Sequence, residues 1–345
     1  MLSLLGQDWT REELLKHVGH MDQLAGIRLV EAADGLARGS RLFQVWTGSG
    51  LNFNVAADRA LDISGYSYKG TALAWNSMVG DVHPTYYDPH GAGWLRSFPG
   101  GLLATCGLDQ YGVPCTDEGE AFGVHGRVSN TPARYVSYRT YWDDNDYTLE
   151  ISGEVRQTRV FGENLVLRRK ITTNLGSKRI SIRDCVTNEA FVAQPHMILY
   201  HFNLGFPLVS ACTHIDFDTD LSEPRDAVAA PGIDHWREFQ APTPGYSEQV
   251  FHHVPSADDK GLARVEVKNP GLDLGVRFTF DARTLGHVFQ WKMPGEGMYV
   301  LGIEPSNCNG VLGRAAARES GNLPFLAPGA SASYAFDVEV IEYSA

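Results

Sequence analysis

Tyr147-Thr148-Leu149-Glu150-Ile151-Ser152 decides the fold class, because its apolar and polar side chains alternate with the two-residue period of a strand with one buried face and one wet face. Ile180-Ser181-Ile182-Arg183 repeats the pattern. Asp143-Asp144-Asn145-Asp146, Gly162-Glu163-Asn164 and Asn174-Leu175-Gly176-Ser177 carry turn chemistry, so residues 134–189 read as an antiparallel meander. A second series of strands follows Pro255, over 263–268, 274–280, 287–292, 298–303 and 333–341, each bounded by Gly, Pro or Asp. Upstream, from about Ile27, short β-branched and aromatic runs are cut at similar intervals, and helix-period segments are nearly absent beyond residue 25. The expectation is an all-β chain in which two large, mainly antiparallel sheets pack face to face and use up 27–345 as one domain.

Residues 1–26 are expected to form an N-terminal helical extension. Thr10-Arg11-Glu12-Glu13 fits a capping box, Leu14, Val18 and Met21 follow at i, i+4 and i+7, and Gly26 ends the segment. That stripe should pack on the body of the protein, and it is also a candidate contact for a homodimer.

Composition excludes several classes. At 345 residues the chain can bury a large core without staples, and its five cysteines are odd in number with no short paired spacing, which disfavours a disulfide framework or a zinc site. A net charge of −12 disfavours nucleic acid, whose binding depends on Lys and Arg neutralising phosphates. No run is long enough to span a bilayer and the N-terminus has no secretory pattern, so the expectation is a cytoplasmic protein without membrane partners. No Walker loop, dinucleotide fingerprint or nucleophile elbow stands in a strand–turn–helix context.

Three stretches could carry chemistry. Tyr200-His201-Phe202-Asn203-Leu204-Gly205-Phe206-Pro207 sets a titratable histidine inside an apolar run that reads as a buried strand, where imidazole costs free energy unless hydrogen-bonded. A satisfied core histidine is the plainer alternative. Glu304 follows the strand-like run 299–303 and precedes Pro305, so it is expected at a strand end, facing either a cleft or solvent. His125 lies between Gly123 and Gly126, which points to close backbone approach by a ligand or to a tight loop. Asp58-Arg59-Ala60-Leu61-Asp62-Ile63 holds two carboxylates and a guanidinium, for an internal ion pair or for ligand binding. If it is a strand, Asp58, Ala60 and Asp62 share a face. Arg96 and Trp94 sit in a Gly-rich loop, Gln290-Trp291-Lys292 mixes an aromatic with a cation, and Trp75, Trp94 and Trp291 are candidates to stack on a sugar. The loops around 80–101 and 221–246 are long enough to suggest function.

Five pieces in order resemble the aldose 1-epimerase (galactose mutarotase-like) superfamily, and more closely its DUF4432 branch: Asp58–Ile63, Gly100–Leu108, Val124–Arg127, Tyr200–Gly205 and Gly302–Pro305. The resemblance spans about Gln23 to the C-terminus. It implies a β-supersandwich, Glu304 as general base, His201 as general acid, and His125 near the sugar ring oxygen. The family's asparagine–arginine sugar-contact motif has no match here, and Arg96 or Arg59 would take its place. Substrate contacts are accordingly expected from His125, Arg127, Arg96, Arg59, Asp58, Trp94, Lys292 and Asn203. The implied activity is interconversion of α and β anomers of an aldose, acting on a monosaccharide or small sugar derivative with no metal or other cofactor. Two competing readings are a carbohydrate-binding or sensing protein without turnover, and another proton-transfer isomerase or lyase in the same cleft.

Overall fold

The computed structural model describes residues 2–343 and is built of two antiparallel sheets. The larger, eleven-stranded sheet runs in the order Thr219–Pro224, Gln249–Pro255, His287–Gly295, Met298–Ser306, Met197–Gly205, Leu103–Leu108, Asp62–Tyr68, Leu51–Ala56, Arg41–Trp46 and Gly26–Glu31, with Thr71–Ala72 paired beside Asp62–Tyr68. The eight-stranded sheet runs Arg134–Asp143, Asp146–Thr158, Asn164–Asn174, Arg179–Asn188, Ser331–Glu342, Leu274–Asp281, Leu262–Asn269 and His214–Phe217. The alternating stretches quoted above lie on the second and fourth strands of this sheet, and the β-supersandwich is the observed fold. Among the described residues no helix is long and apolar enough to cross a membrane.

Alternation in one central strand explains how the sheets meet. Ile198, Tyr200, Phe202 and Leu204 enter the main core, where Tyr200 packs on Phe336 (4.4 Å between ring centroids) and Phe202 on Phe278 (4.8 Å) of the opposite sheet. Each such aromatic contributes about 1.5–3 kcal/mol by leaving water. Leu199 and His201 face the other way, into a second apolar cluster between the larger sheet and the loops that cover it. This outer layer comes mainly from residues 73–101 and 109–130.

One charged group crosses the main core. Arg169 donates through Nη1 to Asp62 (2.8 Å) and to the Ala60 carbonyl, through Nη2 to Asp184 (2.7 Å) and Thr105, and through Nε to Asp184 (2.9 Å). Its five N–H donors are all used. Tyr200 adds a hydrogen bond to Asp184 and Thr105 adds two to Asp62.

Two local expectations change. The Thr10–Glu13 capping box forms, but the helix spans only Arg11–Leu15 before the chain turns, and Met21–Gln23 is a separate 3-10 turn whose entry is capped by the His20 ring on the Asp22 amide. Residues Leu2–Leu4 and Gln7–Trp9 form a hairpin ahead of it. Leu4, Leu14, Met21 and Ile27 join the main core, so this segment packs on the body. Asp58–Leu61 is a turn, with Ala60 and Leu61 at φ 54° and 57°, and the strand begins at Asp62. The face shared by Asp58 and Asp62 is therefore lost.

Candidate active site

The strands Met197–Gly205 and Met298–Ser306 pair as Leu199 with Ser306 and Phe202 with Ile303. That register sets His201 directly opposite Glu304, with both side chains on the outer face. Glu304 is not at a strand end: Pro305 stays in the ladder opposite Val288, and its missing N–H falls toward the stretch where the pairing with Tyr200–His201 lapses. His201 Nε2 lies 3.3 Å from Glu304 Oε1. Two positions before Glu304 on the same face stands Gly302, where a Cβ would lie 2.7 Å from Glu304 Oε1 and 2.9 Å from the Trp291 Cβ. Glycine there keeps room for the pair.

The pair forms the floor of a cavity of about 530 Å³. Trp75, Trp94 and Phe98 come from the 73–101 loop, His125 and Val124 from the next connection, and Trp291, Met293 and Val250 from neighbouring strands. Trp94 is fixed by stacking on Phe98 (4.4 Å) and by donating Nε1 to Ser129 (2.9 Å). His125 takes a left-handed backbone at φ 57°, and its ring centroid lies 5.5 Å from that of His201. The close approach signalled by its glycines is made by protein backbone: a Cβ on Gly126 would meet the Gly107 and Gln110 carbonyls at 2.4 Å, and one on Gly123 the Pro89 carbonyl at 2.4 Å. His125 Nδ1 accepts from the Gly112 amide (3.4 Å), so the neutral ring carries its proton on Nε2.

Burial governs the electrostatics. Glu304 is 3% exposed and His201 4%. Desolvation pushes the Glu304 carboxyl well above its ordinary range, with Glu248 adding to the effect and Arg225 opposing it. Desolvation also holds His201 well below the usual histidine range, with His125 adding and Asn203 opposing. His125 is lowered to about 4 by burial. His201 Nδ1 and Asn203 Oδ1 are buried without hydrogen-bond partners, a condition they share with a few buried atoms elsewhere, such as Ser64 Oγ and Tyr66 Oη.

Of the residues singled out from sequence, Glu304, His201, His125 and Trp94 line this cavity, as do Trp75 and Trp291. The others do not line it. Arg96 and Arg127 are exposed on their loops. Asp58 accepts from the Arg41 backbone amide (2.7 Å) and guanidinium, fixing a corner of the larger sheet. Arg59 is buried against the Val82 carbonyl, and desolvation lowers its pKa to about 10 against the pull of Asp62 and Asp81. Lys292 faces away from Trp291, as strand alternation requires, and donates to the His235 carbonyl (2.9 Å). Asn203 anchors its amide on the Gly101 and His201 carbonyls below the cavity wall.

Sequence reasoning missed Arg225 and Glu248. They pair across the cavity edge (3.5 Å), and Glu248 also accepts from Trp291 Nε1 (2.8 Å). The only signal was the length of the 221–246 loop. A larger hollow of about 830 Å³ lies on the eight-stranded sheet, but Arg168, Lys170 and Arg183 in it are tied to Glu154, Glu150 and Asp337. Among the described residues, no group of three His, Cys, Asp or Glu is arranged to hold a metal ion.

Comparison with known proteins bears on the family and the fold. A family profile described as a domain of unknown function, DUF4432, matches residues 37–340. A crystal structure of a candidate aldose 1-epimerase from Klebsiella pneumoniae is 27% identical over 94% of this chain and 87% of its own, with a TM-score of 0.88. A galactose mutarotase-like protein from Clostridium acetobutylicum (12% identity, 93% and 99% covered, TM-score 0.63) and the galactose 1-epimerase of Lactobacillus acidophilus (9%, 93% and 100%, 0.61) share the fold. No curated protein matches the chain.

Proposed function

The chain belongs to the DUF4432 family, and we propose that it is a cofactor-independent isomerase, an aldose 1-epimerase that interconverts the α and β anomers of a sugar in the outer-face cavity. The observation that carries this reading is the cross-strand pair of Glu304 and His201, two buried proton-transfer groups 3.3 Å apart on the floor of a cavity walled by tryptophans.

Opening a pyranose hemiacetal requires removal of the C1 hydroxyl proton and protonation of O5 as the C1–O5 bond breaks. Glu304 takes the first proton and His201 supplies the second, leaving an open-chain aldehyde with a free C5 hydroxyl. Rotation about C1–C2 presents the other aldehyde face, and closure runs both transfers backwards, so the proton count of the pair is unchanged. Burial alone favours the uncharged acid and the free imidazole. One proton passing from Glu304 to His201 converts them to carboxylate and imidazolium, a form that hydrogen bonds from a sugar's hydroxyls stabilise. His125 donates its Nε2 proton toward the ring oxygen, and Trp75, Trp94 and Trp291 offer aromatic faces to the pyranose.

General acid–base groups of this kind are each worth about 10²–10⁴ in rate. Glu304→Gln should therefore slow anomer exchange by at least about 10²-fold while the protein stays folded, measured by saturation-transfer NMR across a panel of aldoses. Wild-type exchange no faster than buffer on every sugar overturns the reading.

A further inference from the structure

The polar groups of the cavity are few, and most are already spent. Ser77 donates to the Phe98 carbonyl (2.6 Å) and accepts from the Val79 amide. Trp94 Nε1 is held by Ser129, and Trp291 Nε1 by Glu248. Arg225 is tied through Nε to Asp226 (2.7 Å) and through Nη2 to Glu248 (3.5 Å). The side-chain groups left to meet a ligand are His125, His201 and Glu304, together with the open sides of the Arg225–Glu248 pair at the edge. The first three are committed to C1 and O5 if the chemistry above holds.

Strand register says what the rest of a sugar would meet. Along the outer face beyond Glu304 come Gly302, Val300 and Met298, and on the adjacent strand Trp291 and Met293 lie opposite Gly302 and Val300. Val250 stands opposite Trp291 on the next strand. Each of these positions is apolar. Successive same-face positions are roughly 6.5 Å apart, so this floor extends past the far edge of one pyranose ring. An unsubstituted hexose would press its C4 and C6 hydroxyls onto this surface, where a buried hydroxyl without a partner is penalised.

Resting on the mutarotase reading of the same site, we propose that the substrates are reducing sugars with an apolar far side: deoxy or O-alkylated aldoses in which a methyl or larger hydrocarbon group replaces the hydroxyls remote from C1. Val250, Met293 and Met298, which line the cavity above the buried Val300, form the pocket for that group, and the Arg225–Glu248 pair meets one or two remaining hydroxyls.

Matched pairs test this directly. Anomer exchange is measured by saturation-transfer NMR on D-galactose against 6-deoxy-D-galactose and 6-O-methyl-D-galactose, and on the corresponding glucose series. Binding is measured separately by tryptophan fluorescence on Glu304→Gln protein. The expected result is a kcat/KM at least tenfold higher for the deoxy or methylated member, about 1.4 kcal/mol of discrimination. If no sugar is exchanged yet the apolar member binds at least tenfold more tightly, the substrate class stands and the mutarotase reading falls. If parent hexoses are exchanged as well as or better than their apolar partners, the mutarotase reading stands and this inference falls. Failure of both members of every pair to bind also overturns it.

Discussion

Buried charge lies against both faces of the larger sheet, with Arg169 and Asp184 reaching the inner one from the eight-stranded sheet, and the two faces treat it in opposite ways. On the inner face Arg169 satisfies every donor it has, and Asp62 and Asp184 are bonded in return. On the outer face Glu304 and His201 are just as deeply buried, but their direct partners amount to one another, and His201 Nδ1 and Asn203 Oδ1 have none. Complete pairing makes a buried charge structural. Incomplete pairing leaves groups whose protonation is free to change: desolvation raises the Glu304 carboxyl and lowers the His201 imidazole with little to oppose it, whereas at Asp62, which burial also raises, Arg169 and Thr105 pull the other way.

Three measurements break or sharpen this contrast. The largest effect is expected on the inner face: Arg169→Met strands two buried carboxylates and should cost about 3–5 kcal/mol of unfolding free energy by urea titration. A loss under about 1 kcal/mol would put the network on the same footing as a surface pair. The second compares Glu304→Gln with wild type as pH changes. A carboxyl whose folded pKa is raised contributes stability that is full below its unfolded value near 4.5 and is lost as pH rises through the folded value. The variant should therefore match wild type near pH 4 and overtake it on alkalinisation, by up to about 1.4 kcal/mol per pH unit within that window. A constant difference from pH 4 to 8 would mean that Glu304 is compensated after all. The smallest effect is steric: Gly302→Ala inserts a methyl 2.7 Å from Glu304 Oε1 and should lower kcat/KM by roughly tenfold, about 1.4 kcal/mol. Unchanged kinetics in that variant would show that the carboxylate position is not critical.

The fold was legible because alternation is a local property: Tyr147–Ser152 and Ile180–Arg183 carry their inner and outer faces in their own side chains. The meeting of Glu304, His201 and His125 in one cavity was legible through short motifs with a titratable residue in or beside an apolar run. What was not legible depended on register and on loop paths. Gln290-Trp291-Lys292 has period two whichever face is inside, and only pairing with Met298–Ser306 turns Trp291 toward the cavity and Lys292 away. Arg96 and Trp94 are two residues apart on one 3-10 turn, yet one points to solvent and the other is buried. Arg225 and Glu248 belong to segments whose meeting point no local pattern encodes. Pro305 misled for a related reason: as a rule proline ends a ladder, but here its missing donor coincides with a gap on one side while the other side stays paired.

Glu304 and His201 are rooted in adjacent, hydrogen-bonded strands, whereas Trp75, Trp94, Phe98 and His125 reach the same space from long connections. On the proposed function, admission and chemistry are therefore under separate mechanical control. Replacing the 73–101 or 109–130 connection with one of different shape would change which molecules are let in without shifting the proton-carrying atoms beneath. A scaffold divided in this way can be retooled at its rim for new guests while its central machinery stays in alignment.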